Sequence, residues 1–295
     1  MSADGQQRWL TLAALVAGAT AIGTAPLFVR FSETGPVATA FWRVFLALPV
    51  LWLWAWQQDR AALPVLIRKH RGAFFLIGFF FAGDLAVWHW SILLTTIANA
   101  TLLANLAPLF VTMFVWMVWR QRPGYRFLAA LALALAGTVL LMAPNISMSG
   151  AARTGDLLGL LTAAFYAAYQ ISVTRGRETL STATLMAGSS SVMAALLFVI
   201  AWSSGDTLLP QSTAGWWTVI GLAVTAQIIG QSLIAYAMAH LPAVLSSVGL
   251  LWQPVAATTF AAMLVGEWLA GMQWTGALLV LASIAAAQLN RKNIK

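Results

Sequence analysis

Three ionisable side chains stand inside long apolar stretches of this sequence: Arg43, Asp84 and His89. In hydrocarbon a lone charge costs at least about 2.5–3.5 kcal/mol, so each must be paired, neutralised or wet. Arg43 is seven residues, and Asp84 eleven, from the ends of their stretches on the same side. At about 1.5 Å per residue their backbones differ in depth by roughly 6 Å, which an Arg side chain can span. Two chemistries follow. Arg43 and Asp84 neutralise each other as an ion pair, or one of them meets a substrate or a coupling proton. His89 is five residues from Asp84, about 140° around a helix, so the two are expected on different faces. Its imidazole suits either a substrate hydrogen bond or proton carriage, or it is an interior histidine with a partner of its own.

Uncharged polar groups cluster at helical spacing. Thr101, Asn105, Pro108 and Thr112 fall on one face of a helix. Thr162, Tyr166, Tyr169 and Gln170 fall close together, Gln227 and Gln231 lie one turn apart, and Ser246, Ser247, Trp252 and Gln253 form a fourth group. Single groups of this kind serve as interhelical hydrogen bonds. Four such helices exceed what that role needs, and they predict an aromatic-lined, solvated pocket. Trp88, Trp90, Trp252, Tyr166 and Tyr169 are deep enough to wall it for an aromatic or cationic substrate. Pro108 and Pro254 remove backbone donors and leave the carbonyls of Ala104 and Leu250 without their helical partners. Such breaks either line a cavity or are satisfied by a neighbouring helix.

Enzyme chemistry is poorly provided for. There is no HExxH, no Walker loop and no Ser/His/Asp spacing. With eight acids in all and no cysteine, neither a metal cage nor thiolate chemistry is expected, and no cofactor is called for.

The elements that must position these residues follow from composition. Of 295 residues, 61% are hydrophobic and 8% charged. A soluble domain of this size cannot hide that much apolar surface, but a bilayer needing about 20 apolar residues per helix can hold it. The net charge of +8 therefore reflects membrane topology, not nucleic-acid binding. Ten apolar runs are expected as helices: 9–31, 36–56, 72–94, 97–119, 125–143, 156–174, 182–202, 214–239, 243–265 and 269–289. With ten spans, thirteen Lys and Arg residues fall on one side and two, Arg30 and Arg153, on the other, so both termini are expected in the cytoplasm.

The chain also echoes itself. Pro108, Thr112, Phe114 and Met117 recur 146 residues on as Pro254, Thr258, Phe260 and Met263, and Leu133, Leu135 and Ala136 recur as Leu279, Leu281 and Ala282. Two five-helix repeats, 1–146 and 147–295, follow. Five is odd, so the second repeat enters the membrane inverted, with the binding site at the midplane between the two. Asp84 and His89 then face Gly230 and Ala235, so the fold is symmetric where the chemistry is not.

One more likeness rests on particular residues. Pro254…Gly266–Glu267–Trp268–Leu269…Gln273…Gly276…Leu278…Leu281, with Phe41–Trp42–Arg43 and Trp90…Ala98…Leu103…Ala107–Pro108, resembles the EamA-type drug/metabolite transporter superfamily. Within it the length and deep aromatics look most like the YddG-type aromatic amino acid exporters. The first half departs from the pattern, with Gln121–Arg122–Pro123 where a second Gly–Glu could stand. The resemblance implies a ten-helix carrier in a bacterial inner membrane, exporting small organic metabolites, with no partner beyond substrate and lipid. The oligomeric state is left open, a monomer included. A zwitterion would be held by amide, hydroxyl and broken-helix carbonyl groups, with Trp and Tyr on its side chain. An exporter of lipophilic cations using Asp84 as counter-charge is the alternative.

Overall fold

The structure, a computed structural model, describes residues 3–95, 97–143, 153–265 and 271–289. All regular structure among them is helical. Among the described residues, eight helical paths are long and apolar enough to cross a membrane, from Trp9–Arg30 to Ala243–Leu264. The fifth and tenth apolar runs form shorter apolar helices, Tyr125–Leu140 and Gly271–Ala287. The Gly266–Glu267–Trp268–Leu269 motif lies outside the described residues.

Four of the paths are broken, each next to a proline. The first is α1 (Ala3–Gly23) and α2 (Ala25–Arg30), with Pro26 in the first turn of α2. The second is α3 (Pro36–Phe45) and α4 (Leu48–Asp59), with Pro49 placed likewise. A single bent helix follows, α5 (Leu63–Leu94), starting before the expected Gly72 and bending at His70. The fourth path is α6 (Ile97–Ala104) and α7 (Ala107–Trp119), with Pro108 opening α7. Next come α8 (Tyr125–Met142), α9 (Arg153–Gly176) and α10 (Thr182–Ser203). The seventh path is α11 (Thr213–Leu222), a π-helical segment (Ala223–Gln231) and α12 (Ser232–Met238). The eighth is α13 (Ala243–Gly249) and α14 (Trp252–Val265), and α15 (Gly271–Leu289) follows.

Proline explains where the breaks fall. Its missing N–H is harmless in a first helical turn, where donors lack intrahelical partners anyway. Each helix therefore ends just before the proline and restarts around it. The paths are interrupted at Pro108 and Pro254, where breaks are expected from the sequence. Three-residue turns bridge the gaps, with Leu106 N–H donating to Leu103 O at 3.0 Å and Leu251 N–H to Val248 O at 3.1 Å. The Leu250 carbonyl, expected to lack a partner, accepts from Gln253 N–H at 2.9 Å.

Packing repeats when the two halves are exchanged. α5 packs along α9, as the π segment and α12 pack along α1. α6 and α7 pack on α9, as α14 packs on α1. α10 lies on α3 and α4, and α8 pairs with α15. The most extensive contacts thus run between halves. Two close approaches depend on glycine. A Cβ on Gly18 would stand 2.8 Å from Gly230 O, and one on Gly137 would stand 2.8 Å from Gly276 O.

The connections form two faces. On the first face, Gly35 N–H donates to Thr207 O at 2.9 Å, and Asp206 accepts from the backbone of Val37 and Ala38 at 2.8 and 2.9 Å. Asp206 so caps α3 with an anion at its positive end. Beside it, Glu33 accepts from the Ser212 hydroxyl and from the backbone of Gln211 and Ser212. On the second face, Asp59 accepts from the hydroxyls of Ser181 and Thr184, and Arg177 donates to the carbonyls of Leu180 and Ala235.

The Ser212 hydroxyl, together with the two backbone donors, holds the Glu33 carboxyl below its ordinary range. A depressed carboxyl contributes stability above the unfolded-state pKa and loses it as pH falls through the folded value. Glu33→Ala is therefore expected to lower the melting temperature at neutral pH. The gap from the parent protein should narrow as the pH drops below the ordinary carboxylate range. Parallel melting curves from pH 7 to pH 3 check this, and a gap that does not change with pH removes the assigned role.

Candidate functional site

One cavity of about 190 Å³ gathers most of the residues with chemical potential. Arg43, Asp84, Trp88, His89, Asn105, Tyr166, Gln231, Gln253 and Pro254 all line it. It sits between mid-depth and the first face. Its walls on α2 and α3 (Pro26, Val29, Thr39, Ala40) lie within a few turns of the 31–35 connection.

α5 supplies one wall through Phe81, Asp84, Leu85, Trp88 and His89. The expectation that Asp84 and His89 avoid a common face is corrected here. They are the two edges of one stripe about 140° wide, and the cavity is broad enough to touch both. The break between α6 and α7 brings Thr101, Ala104 and Asn105 to the same space. Asn105 donates to Thr101 O at 2.8 Å, which leaves its amide oxygen and one N–H for other partners.

Arg43 and Asp84 both lie against the cavity, feel each other's charge, and form no ion pair. Nε and Nη2 of Arg43 are buried without a hydrogen-bond partner. Its guanidinium instead sits 5.5 Å from the Phe81 ring centroid, a contact worth about 2 kcal/mol when desolvated. His89 Nδ1 donates to Leu85 O at 2.6 Å, which leaves Nε2 as a buried, unpartnered acceptor. Arg43, Asp84 and His89 thus line one cavity, with Nε and Nη2 of Arg43 and Nε2 of His89 lacking a hydrogen-bond partner.

A column of rings closes the cavity towards the second face. Phe81 stacks on Tyr169 at 4.4 Å, and Tyr169 on Tyr166 at 6.0 Å. Hydrogen bonds fix both phenols. Tyr169 donates to Gln231 Oε1 at 3.0 Å, and Gln253 donates to the Tyr166 hydroxyl at 3.1 Å. The π-helical segment carries Gln227 and Gln231 on this side. Such segments are uncommon and cluster at functional sites.

Other expected site residues lie elsewhere. Tyr169 is 1% exposed and stands behind Tyr166. Gln227 is fully buried and donates to Ser190 Oγ at 3.1 Å. Gln170 is fully buried, with neither amide atom partnered. Trp252 does not line the cavity, because its indole N–H donates to Thr20 Oγ1 at 2.8 Å. Trp90 is 40% exposed and points out of the bundle. Pro108 is buried at the start of α7, away from the cavity lining. Phe81, Pro26 and Thr39 were not anticipated. Phe81 falls three residues before Asp84 on the same stripe, which is the signal that could have found it.

Among the described residues, no three His, Asp or Glu side chains gather to hold a metal ion. The site's means are hydrogen bonding, charge and stacking, which suit reversible binding and not bond making.

Comparison with known proteins agrees with this picture. No curated protein sequence matches the chain. A crystal structure of another protein superposes with a TM-score of 0.77 at 21% identity, covering 95% of this chain and 99% of that one, a likeness of fold. The model of the EamA-like transporter family matches residues 8–143 and again 153–287, one match per half. The chain therefore belongs to the EamA-like transporter family, as a multi-pass membrane transporter of small molecules and not an enzyme.

Proposed function

We propose that the protein exports amino acids, aromatic ones included, by alternating access around the cavity at Arg43 and Asp84. One observation carries this above the others. A guanidinium and a carboxylate, unpaired with each other, face one cavity of about 190 Å³. Burying opposite charges without pairing them is costly, and a zwitterion supplies both missing partners at once. Its carboxylate meets Arg43, its ammonium meets Asp84 and His89 Nε2, and an aromatic side chain lies against Tyr166 and Trp88. The volume is below the roughly 300 Å³ at which pockets for drug-sized ligands begin. A lipophilic cation would find Asp84 and the rings, but also the charge of Arg43.

The wider proposal is a ten-span carrier in a bacterial inner membrane, with both termini in the cytoplasm and two inverted repeats. The packing that repeats on exchange of halves supports inversion. With that orientation the first face is the outer one, and the cavity is placed for release. Gln170, Ser232 and Ser246 support an alternate state. Each is buried on the second-face side with unpartnered polar atoms, which cost about 1–3 kcal/mol apiece as they stand. Water entering from the second face would satisfy them.

Counterflow in proteoliposomes tests the substrate. Preloaded phenylalanine or tryptophan is expected to drive uptake of its labelled form, and Tyr166→Ala is expected to weaken this about tenfold. Efficient counterflow of tetraphenylphosphonium, with none of amino acids, would replace this proposal with the cation exporter.

A further inference from the structure

A second cavity, of about 540 Å³, opens on the opposite side of α9. It lies between α5, α7 and α9. Ile77, Phe80, Phe110, Met113, Ala164 and Ala168 are among its mainly apolar walls, and Ser172, Arg175 and Thr179 supply its polar lining. Met113, Met117 and Val118 are exposed along it. Neither the substrate cavity nor the second-face ties use any of these side chains.

Length and charge identify what fits. From Ala164 to Arg175 the groove follows eleven residues of α9, about 16 Å at about 1.5 Å per residue. That is about half of a hydrocarbon core about 30 Å thick. The groove therefore runs from the bilayer midplane to the second face, the depth of one leaflet. Its apolar part is inside and its cation is at the surface end. Trp119 holds the Arg175 guanidinium there, 4.9 Å from the ring centroid, with no carboxylate paired to it among the described residues. Arg71 and Arg120, both exposed, stand two residues outside the lining positions Ala73 and Val118. One acid, Glu178, is exposed on the same turn as Thr179. Positive charge dominates the mouth. Basic pockets between membrane helices at this depth recognise anionic headgroups.

We propose that this groove binds one anionic phospholipid of the second-face leaflet, with an acyl chain along Ala164–Ile171 and its phosphate at Arg175. The bound chain would press on Ala164, Ala167, Ala168 and Ile171. These lie on the face of α9 opposite Thr162, Tyr166 and Tyr169, so occupancy would bear on the wall of the transport cavity.

The test is native mass spectrometry of the full chain, purified in mild detergent with phosphatidylglycerol and phosphatidylcholine present in equal amounts. The wild type is expected to retain one phosphatidylglycerol. Arg175→Gln should cut retention at least fivefold, and Arg175→Lys should keep most of it. Ala168→Trp, which fills the groove and leaves the arginine, should abolish it. Millimolar inorganic phosphate or glycerol 3-phosphate should not displace the lipid, because the chain supplies the hold. Melting curves identify any variant that fails to fold, and Arg122→Gln, outside the groove, serves as the charge control. Equal retention of the two lipids, or full retention by folded Ala168→Trp or folded Arg175→Gln, overturns the proposal. Displacement by free phosphate overturns it as well, since the site would then bind a soluble anion.

Discussion

Arg43→Gln is expected to lower kcat/KM for amino acid counterflow by about 30-fold to several thousand-fold. That range corresponds to the loss of about 2–5 kcal/mol when one member of a desolvated charge pair is removed. Nε and Nη2 of Arg43 have no protein partner, and the proposed zwitterion would bring its carboxylate to this guanidinium. Arg43→Lys keeps the charge but loses the planar fork, and an intermediate rate is expected. The decisive measurement compares an amino acid with the amine that lacks its carboxylate, such as tryptophan with tryptamine. In the parent protein the amino acid should be strongly preferred. In Arg43→Gln that preference should collapse, because the missing carboxylate and the missing guanidinium are two ways of deleting one contact. A preference that survives intact in the variant means that Arg43 does not meet the carboxylate.

Asp59→Ala is expected to open the second face. The Asp59 carboxylate ties the end of α4 to the start of α10 through Ser181 and Thr184, and the contact to Thr184 is 2.6 Å. Hydrogen bonds to a charged group contribute about 1.5–3 kcal/mol each. Losing both, partly offset by Arg177 and by water, should shift the balance of closed and open states by about 100-fold. The sequence has no cysteine, so a single introduced thiol can be followed without background. Ser246→Cys is buried at 0% exposure and should react slowly with a membrane-permeant maleimide in the parent background. Adding Asp59→Ala should raise that rate at least tenfold, and Asp59→Asn should give a smaller rise. An unchanged rate in the folded double variant would mean that the tie does not gate this face.

Much of this fold is legible in the residues. Apolar runs locate the helices, and the spacing of 146 residues between Pro108 and Pro254 anticipates two matched helix breaks. Pro26 and Pro49 carry the same backbone signal but have no counterpart at that spacing, so the repeat does not mark them. The π-helical turn at 223–231 has no sequence signature, because it changes the hydrogen-bond register and not the residue types. The site was readable as a set of polar groups at mid-depth. Which of them reach the cavity was not. Trp252 and Gln253 are adjacent, yet one indole donates to Thr20 and the neighbouring amide turns to Tyr166. That choice depends on where α1 and α9 lie, which no local pattern encodes. The separation of Arg43 from Asp84 is of the same kind. Depth along the helices allows an ion pair, but the Arg43 guanidinium lies over the Phe81 ring instead.

The pairing of α8 with α15 has a consequence for how the protein is made. α8 finds its most extensive contacts on α15, with the backbones in near contact at Gly137 and Gly276. A ribosome delivers α8 to the membrane long before α15 has been synthesised. Through that interval α8 must be stable facing lipid alone, glycine notch included. The later helix, α15, is then the one that seals the seam. A chain stopped before Gly271 would be an inserted but unclosed bundle, a form that quality-control proteases can recognise.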